Sequence, residues 1–152
     1  MNKMKNLKIS EFNQRLESAI EIKKFENEFK IEFPDDLIEL LLNYEGAKLN
    51  EDECYFEHKK GLFYEVNQIL YLRKSDLGGA SIQDILKGHK SYGIEGFIPF
   101  AIDSGGWDFN ISVNESTLGQ VWVNKFDSDE EKTMIYVAPS LENFINSLKS
   151  DV

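Results

Sequence analysis

The chain has 152 residues, 41% of them hydrophobic and 12% aromatic, the composition of a globular domain large enough to bury a core. No run approaches the roughly 18 uncharged apolar residues of a membrane-spanning helix, so the expectation is a soluble protein with no membrane partner. Acidic residues outnumber basic ones by 27 to 17, a formal net charge of -10, and a field of that sign opposes nucleic-acid binding while attracting basic partners.

In chain order, the opening MNKMKNLKISEFNQ carries Lys3, Lys5 and Lys8 but neither an apolar core nor a small-residue cleavage site. It does not read as a secretory signal, and the expected location is cytoplasmic. Ile22, Phe25 and Phe29 follow helical spacing, with Ser18 as a candidate cap. A second helix start is marked by Pro34 at the first helical position, with Asp35 and Asp36 in the first turn. Leu37, Leu41 and Tyr44, flanked by Ile38 and Leu42, make that helix apolar over a wide arc, and Gly46 ends it. The lone Cys54 agrees with a reducing compartment, and Glu51, Asp52, Glu53 and Glu57 around it disfavour a thiolate.

From Cys54 onward short β-rich runs, CYFE and GLFYEVNQILYL, flank His58-Lys59-Lys60-Gly61 and predict a hairpin or two edge strands. Residues 75–96 hold five glycines and a short helical pattern at Ile82, Ile85 and Leu86, which reads as a long irregular connection over a functional face. Four strands follow at 97–103, 107–113, 120–126 and 133–138. The second alternates, with Trp107, Phe109, Ile111 and Val113 on a buried face and Asp108, Asn110, Ser112 and Asn114 on an open one. Short polar connections make the run an antiparallel meander. Ser140 caps a last helix with Leu141, Phe144, Ile145 and Leu148 on one side. The predicted fold is α+β: one domain over residues 1–152 with a core at about 18–149, its antiparallel meander sheet packed by N-terminal helices and a C-terminal helix.

Asp103-Ser104-Gly105-Gly106 looks like a serine-hydrolase nucleophile motif. A serine nucleophile needs a base in reach and an oxyanion hole. Only His58 and His89 could supply an imidazole, and both lie in Lys-rich surroundings that read as exposed. Gly105 and Gly106 read instead as turn-forming residues. Two separated histidines and one cysteine do not make a structural zinc site. The run Asp127-Ser128-Asp129-Glu130-Glu131 lacks the glycine and spaced glutamate of a calcium loop, so it reads as a solvated turn. No phosphate-cradling loop precedes a helix. The expectation is a non-catalytic chain with no cofactor and no metal.

The acid is unevenly placed: residues 31–60 carry nine acidic and three basic side chains, and residues 101–152 again nine and three, whereas residues 1–30 carry five and seven. The two blocks serve either solubility or a basic partner. A partner surface would combine them with aromatic anchors such as Tyr55, Tyr64, Trp107 or Trp122. Trp107 falls on the apolar face of its strand and reads as core, while Trp122 has the opposite parity from Val121 and Val123. The candidate contact residues are Glu51, Asp52, Glu53, Asp103, Asp108, Asn110, Trp122, Asp127, Asp129, Glu130 and Glu131.

Four pieces in order resemble the SUKH superfamily, also called the SMI/KNR family: IKKFENEFKIEFPDDLIELLLNYEGA, GLFYEVNQILYL, IPFAIDSGGWDFNISV, and GQVWVNKFD with MIYVAPSLENFINSL. Phe33 stands where that family usually has Leu, and Tyr44-Glu45-Gly46-Ala47 is a loose version of its Asn-Gly-Gly element. The resemblance implies an α+β domain without catalytic residues. It also implies a bacterial immunity protein that neutralises a polymorphic toxin, many of which are nucleases, or, as in fungi, a regulator of cell-wall assembly. Asp103, Gly105 and Gly106 match the family's most characteristic positions. The expected partner is a basic cognate toxin domain, with an adaptor that scaffolds cellular proteins as the alternative; oligomeric state is left open.

Overall fold

A computed structural model describes residues 7–12, 14–74, 79–128 and 132–150. The elements run β1 (Ile9–Glu11), α1 (Ala19–Phe29), α2 (Asp35–Tyr44), β2 (Lys48–Leu49), β3 (Tyr55–Lys59), β4 (Leu62–Glu65), β5 (Gln68–Ile69), α3 (Ile82–Ser91), β6 (Phe97–Ile102), β7 (Asp108–Ser112), β8 (Val121–Asn124), β9 (Met134–Ala138) and α4 (Leu141–Asn146). Seven strands form one antiparallel sheet in the order β1-β2-β5-β6-β7-β8-β9, and β3 and β4 form a separate hairpin. The α+β architecture and the β6-to-β9 meander are those the sequence pattern predicts.

Helix ends follow local chemistry. The Ser18 hydroxyl accepts the Ile20 N–H at 3.3 Å, and that of Ser140 accepts the Asn143 N–H at 3.0 Å, each satisfying a donor that the first helical turn leaves without a partner. Pro34 occupies the cap of α2 rather than its first turn. At the far end of α2, Glu45 is buried and its carboxylate accepts the N–H groups of Leu16 (2.8 Å), Leu72 (2.8 Å) and Arg15 (3.2 Å). One side chain thus ties together α2, the segment before α1 and the segment after β5. Gly46 has φ +78°, and a Cβ there would lie 2.1 Å from the Tyr71 ring, so no other residue fits.

Two expectations are corrected. Residues 75–96 are not simply an irregular connection, because α3 is a ten-residue helix. Ser81 caps it through the Asp84 N–H at 3.1 Å, and Ile82 is fully buried; cap and tertiary packing outweigh the low helix propensity of Gly88. The second correction concerns β7, all five of whose residues are buried. Asp108 (4% exposed), Asn110 (0%) and Ser112 (0%) do not form an open face. Both corrections have one cause. His89 of α3, itself 4% exposed, places Nε2 at 2.8 Å from Asp108 Oδ2, so the helix lies over the face that alternation alone leaves open to water.

Asp108 is the hub of this cluster. Asn110 Nδ2 donates to Oδ2 at 2.8 Å and Asn124 Nδ2 reaches Oδ1 at 3.4 Å. The remaining polar atoms, His89 Nδ1 and the side-chain oxygens of Asn110 and Asn124, have no hydrogen-bond partner among the described residues, so the carboxylate is what holds the group together. On the opposite face of β7, Phe109 packs against Phe144 of α4 with ring centroids 5.3 Å apart, and Phe144 also meets Phe56 (4.9 Å) and Phe100 (5.8 Å). Side chains alternate along a strand, so α3 and α4 cover opposite faces of the sheet.

Replacing Asp108 by Ala would leave the His89 Nε2 and the Asn124 amide without their acceptor and the Asn110 amide with only the Asp108 main-chain carbonyl at 3.1 Å. The expected loss is about 3 kcal/mol or more, read as a lower urea midpoint, against less than about 0.5 kcal/mol for the solvent-facing control Glu115→Ala. An Asp108→Ala variant as stable as the parent would show that the carboxylate is not the hub.

Candidate protein-binding rim

Antiparallel order decides which loops meet. In a meander, alternate connections fall at the same end of the sheet, so the β6–β7 and β8–β9 loops share an end. β5 pairs with the last residues of β6 through Gln68 opposite Ile102 and Ile69 opposite Ala101, and the Asn67 N–H reaches the Ile102 carbonyl at 2.8 Å. The β4–β5 connection therefore arrives at that end as well. β2 runs antiparallel to β5, with the Leu49 N–H on the Asn67 carbonyl at 2.9 Å, which carries the 50–54 turn to the same place.

These loops bring the scattered acids together. The Tyr55 hydroxyl lies 3.0 Å from Asp52 Oδ1 and 3.4 Å from Glu65 Oε2. Glu65 in turn acts electrostatically on Asp103. Asp103 Oδ1 accepts the N–H of Gly105 at 2.9 Å and of Trp107 at 2.8 Å, and the Trp107 indole N–H donates to Asp127 Oδ1. Asp52, Glu65, Asp103 and Asp127 thus lie along one rim, joined through Tyr55 and Trp107. Like charges this close repel. Burial pushes the Asp103 carboxyl above its ordinary value and the Glu65 carboxylate adds to the rise, against the opposing pull of the Trp107, Gly105 and Gly106 N–H groups.

Apolar surface accompanies the acids. Phe126 is 51% exposed, and its ring tip lies 3.9 Å from where a Gly106 Cβ would be. Trp107 is half-buried and packs against the core, and the Lys125 ammonium sits over its ring at 5.4 Å and over Tyr64 at 5.0 Å. The exposed Phe126 ring thus lies next in sequence to the rim acid Asp127.

Of the residues singled out from sequence, Glu51, Asp52 and Glu53 are exposed in the turn before β3, with Asn50 Nδ2 on Glu53 Oε2 at 3.1 Å, and Asp103 and Asp127 share the rim. Asp129, Glu130 and Glu131 lie outside the described residues. Trp122 is elsewhere, half-buried on the α3 face between Phe97 (5.6 Å) and Tyr136 (5.9 Å). Asp108 and Asn110 are interior. Glu65 and Phe126 were missed. Both sit in runs that read only as strand, and nothing local marks a strand end as part of a site.

Ser104 is exposed in the 103–107 turn. Of the imidazoles, His89 is buried against Asp108, contrary to its exposed sequence context, and His58 lies in β3 beside the Tyr64 hydroxyl at 3.5 Å. Gly106 takes φ +94°, whereas Gly105 does not enter the left-handed region. Burial raises the Cys54 thiol and Glu53 adds to the rise. Among the described residues no group of three or more His, Cys, Asp or Glu is placed to hold a metal ion, and no helix is long and apolar enough to cross a membrane.

The family model for the SMI1/KNR4 family (SUKH-1) matches residues 17–147, from just before α1 to just past α4. No curated protein and no solved structure matches the chain.

Two outcomes follow from the rim geometry. Gly106→Ala should cost about 1–2 kcal/mol in chemical denaturation because of its left-handed backbone, while Gly105→Ala, whose Cβ would meet only Asp103 Oδ1 at 3.6 Å, should stay within about 0.5 kcal/mol. Asp103→Asn keeps an oxygen for both N–H groups and removes the titration. A raised folded-state value makes the acid's stabilising contribution largest below its unfolded value and lost as pH rises through the folded one. The Asp103→Asn variant should therefore gain stability relative to the parent as pH rises above the acid's unfolded value of about 4, and parallel pH profiles would refute the assignment.

Proposed function

The chain belongs to the SMI1/KNR4 family (SUKH-1), whose domains are of the immunity or cell-wall-regulator type and bind partner proteins, and from that premise we propose that it is an immunity protein whose acidic rim binds a basic toxin domain. The observation that carries this reading is the convergence of Asp52, Glu65, Asp103 and Asp127 beside the exposed Phe126. Acids spread evenly over a surface serve solubility. Acids gathered around an aromatic side chain supply a field that steers a basic partner and an apolar anchor that holds it.

The physical action is occlusion. A toxin that acts on a polyanion needs a basic surface for phosphate, and carboxylates at the rim would occupy that surface in place of phosphate. Trp107 and Tyr55 donate to the rim acids, so the charges are already held when the partner arrives and little ordering entropy is lost on association.

Capture of the tagged full chain from its host, read by mass spectrometry at low and high salt, tests this. A single stoichiometric toxin-like domain is expected, with an association rate that falls steeply as salt rises and drops about tenfold for the double substitution Asp103→Asn, Asp127→Asn at low salt. Recovery of several housekeeping proteins would move the assignment to a scaffolding adaptor. A rate insensitive to salt would remove the rim from the mechanism.

A further inference from the structure

The two edges of the seven-stranded sheet are built differently. At one, β1 has three residues, a register shift, and Glu11 paired with Lys48 on the adjacent strand at 4.0 Å. Shortness, irregularity and charge are devices that stop a free edge from pairing with another chain. At the other, β9 has five residues, Met-Ile-Tyr-Val-Ala, with no charge and no proline. Among the described residues no backbone hydrogen bond reaches its outer side.

The ladder shows which groups face outward. The Lys125 N–H donates to the Thr133 carbonyl at 2.8 Å, making those two a hydrogen-bonded pair. Val123 opposite Ile135 is the next such pair, and Asn124 opposite Met134 and Trp122 opposite Tyr136 are the pairs that exchange no bonds. The N–H and C=O of Met134 and Tyr136 therefore point away from β8. Val137 and Ala138 are buried, whereas Met134 and Ile135 are half-buried and Tyr136 is 40% exposed. The accessible part of the edge is thus its first half, which begins where the acidic rim ends. Tyr136 also continues an aromatic row through Trp122 to Phe97, with ring centroids 5.9 Å and 5.6 Å apart.

We propose that a partner adds an extended strand to β9 at Met134–Tyr136, with basic residues over the rim at Asp127 and an apolar side chain against Tyr136 and Trp122. This rests on the rim reading above and deepens it. Main-chain bonds to Met134 and Tyr136 supply affinity independent of sequence, and the aromatic row with the neighbouring carboxylates selects a segment that alternates apolar and basic side chains. Charge chooses this occupant: the edge lies at the acidic end of a chain of net charge -10, so a segment carrying lysine or arginine is drawn to it and an acidic one is repelled.

A short synthetic peptide of alternating lysine and valine, titrated into the full chain and followed by amide hydrogen exchange, is the test. Exchange at the Met134 and Tyr136 amides should slow by about tenfold or more on binding. Tyr136→Pro removes an outward donor without removing a bond to β8 and is tolerated at a sheet edge. It should weaken the peptide about tenfold, with Met134→Pro as the second variant and a thermal melt confirming that each is folded. Tyr136→Ala, which keeps the donor, should weaken it less. Binding that perturbs only residues 103–107 and 125–128 and is unchanged by either proline would overturn strand addition and leave the acidic rim standing. Absence of any binding at low salt would overturn both. Protection of the two amides that grows with protein concentration in the absence of peptide would show a second copy of the chain on the edge instead, and would overturn the assigned partner.

Discussion

A carboxylate in the middle of a sheet sets the terms for the rest of this molecule. Asp108 begins β7 with its side chain on a face that water does not reach, and an acid there is costly unless donors surround it. His89, Asn110 and Asn124 provide them, from α3, from β7 itself and from β8. Each donor fixes an element: α3 must lie across the sheet, and β8 must keep the register that places Asn124 opposite Asp108. Packing on the other face, where Phe109 meets Phe144, then follows from strand alternation.

The same strand begins immediately after the turn that carries the rim. Asp103 through Trp107 closes with the Asp103 N–H on the Trp107 carbonyl at 3.0 Å, and Trp107 leaves that turn with its indole reaching Asp127. Anchoring Asp108 in the interior thus positions Trp107 at the boundary, half in the fold and half at the rim. Repulsion among the neighbouring carboxylates is moderated by hydrogen bonds from Tyr55, Trp107 and the 103–107 backbone. The charges are held by aromatic donors and main-chain N–H groups, and the rise in the Asp103 carboxyl comes first from its burial and then from the Glu65 carboxylate.

Rim and open edge are adjacent because of where β9 lies. A meander ends on an outer strand, and among the described residues no strand pairs with the outer side of β9. α4 returns from the far end of β9 to pack its apolar side inward, burying Val137 and Ala138 while the beginning of the strand stays accessible.

Local pattern was enough for much of this protein. Apolar spacing and caps at Ser18 and Ser140 marked α1 and α4, Pro34 marked α2 to within one residue, and the runs from Phe97 to Ala138 gave an antiparallel meander, because periodicity and turn chemistry act over a few residues. The family was legible for the same reason, since the motifs that carry it are contiguous. What lay beyond the sequence is what depends on distance. His89 stands in a Lys-rich segment and Asp108 on a polar stripe, and each looks exposed until α3 lays one upon the other. Asp52, Glu65, Asp103 and Asp127 belong to four separate segments that strand order brings to one end. Composition and periodicity determined the elements and the sign of the charge; only the tertiary structure decided which polar face is buried and which acids are neighbours, because those are outcomes of how elements pair and not of any residue's local preference.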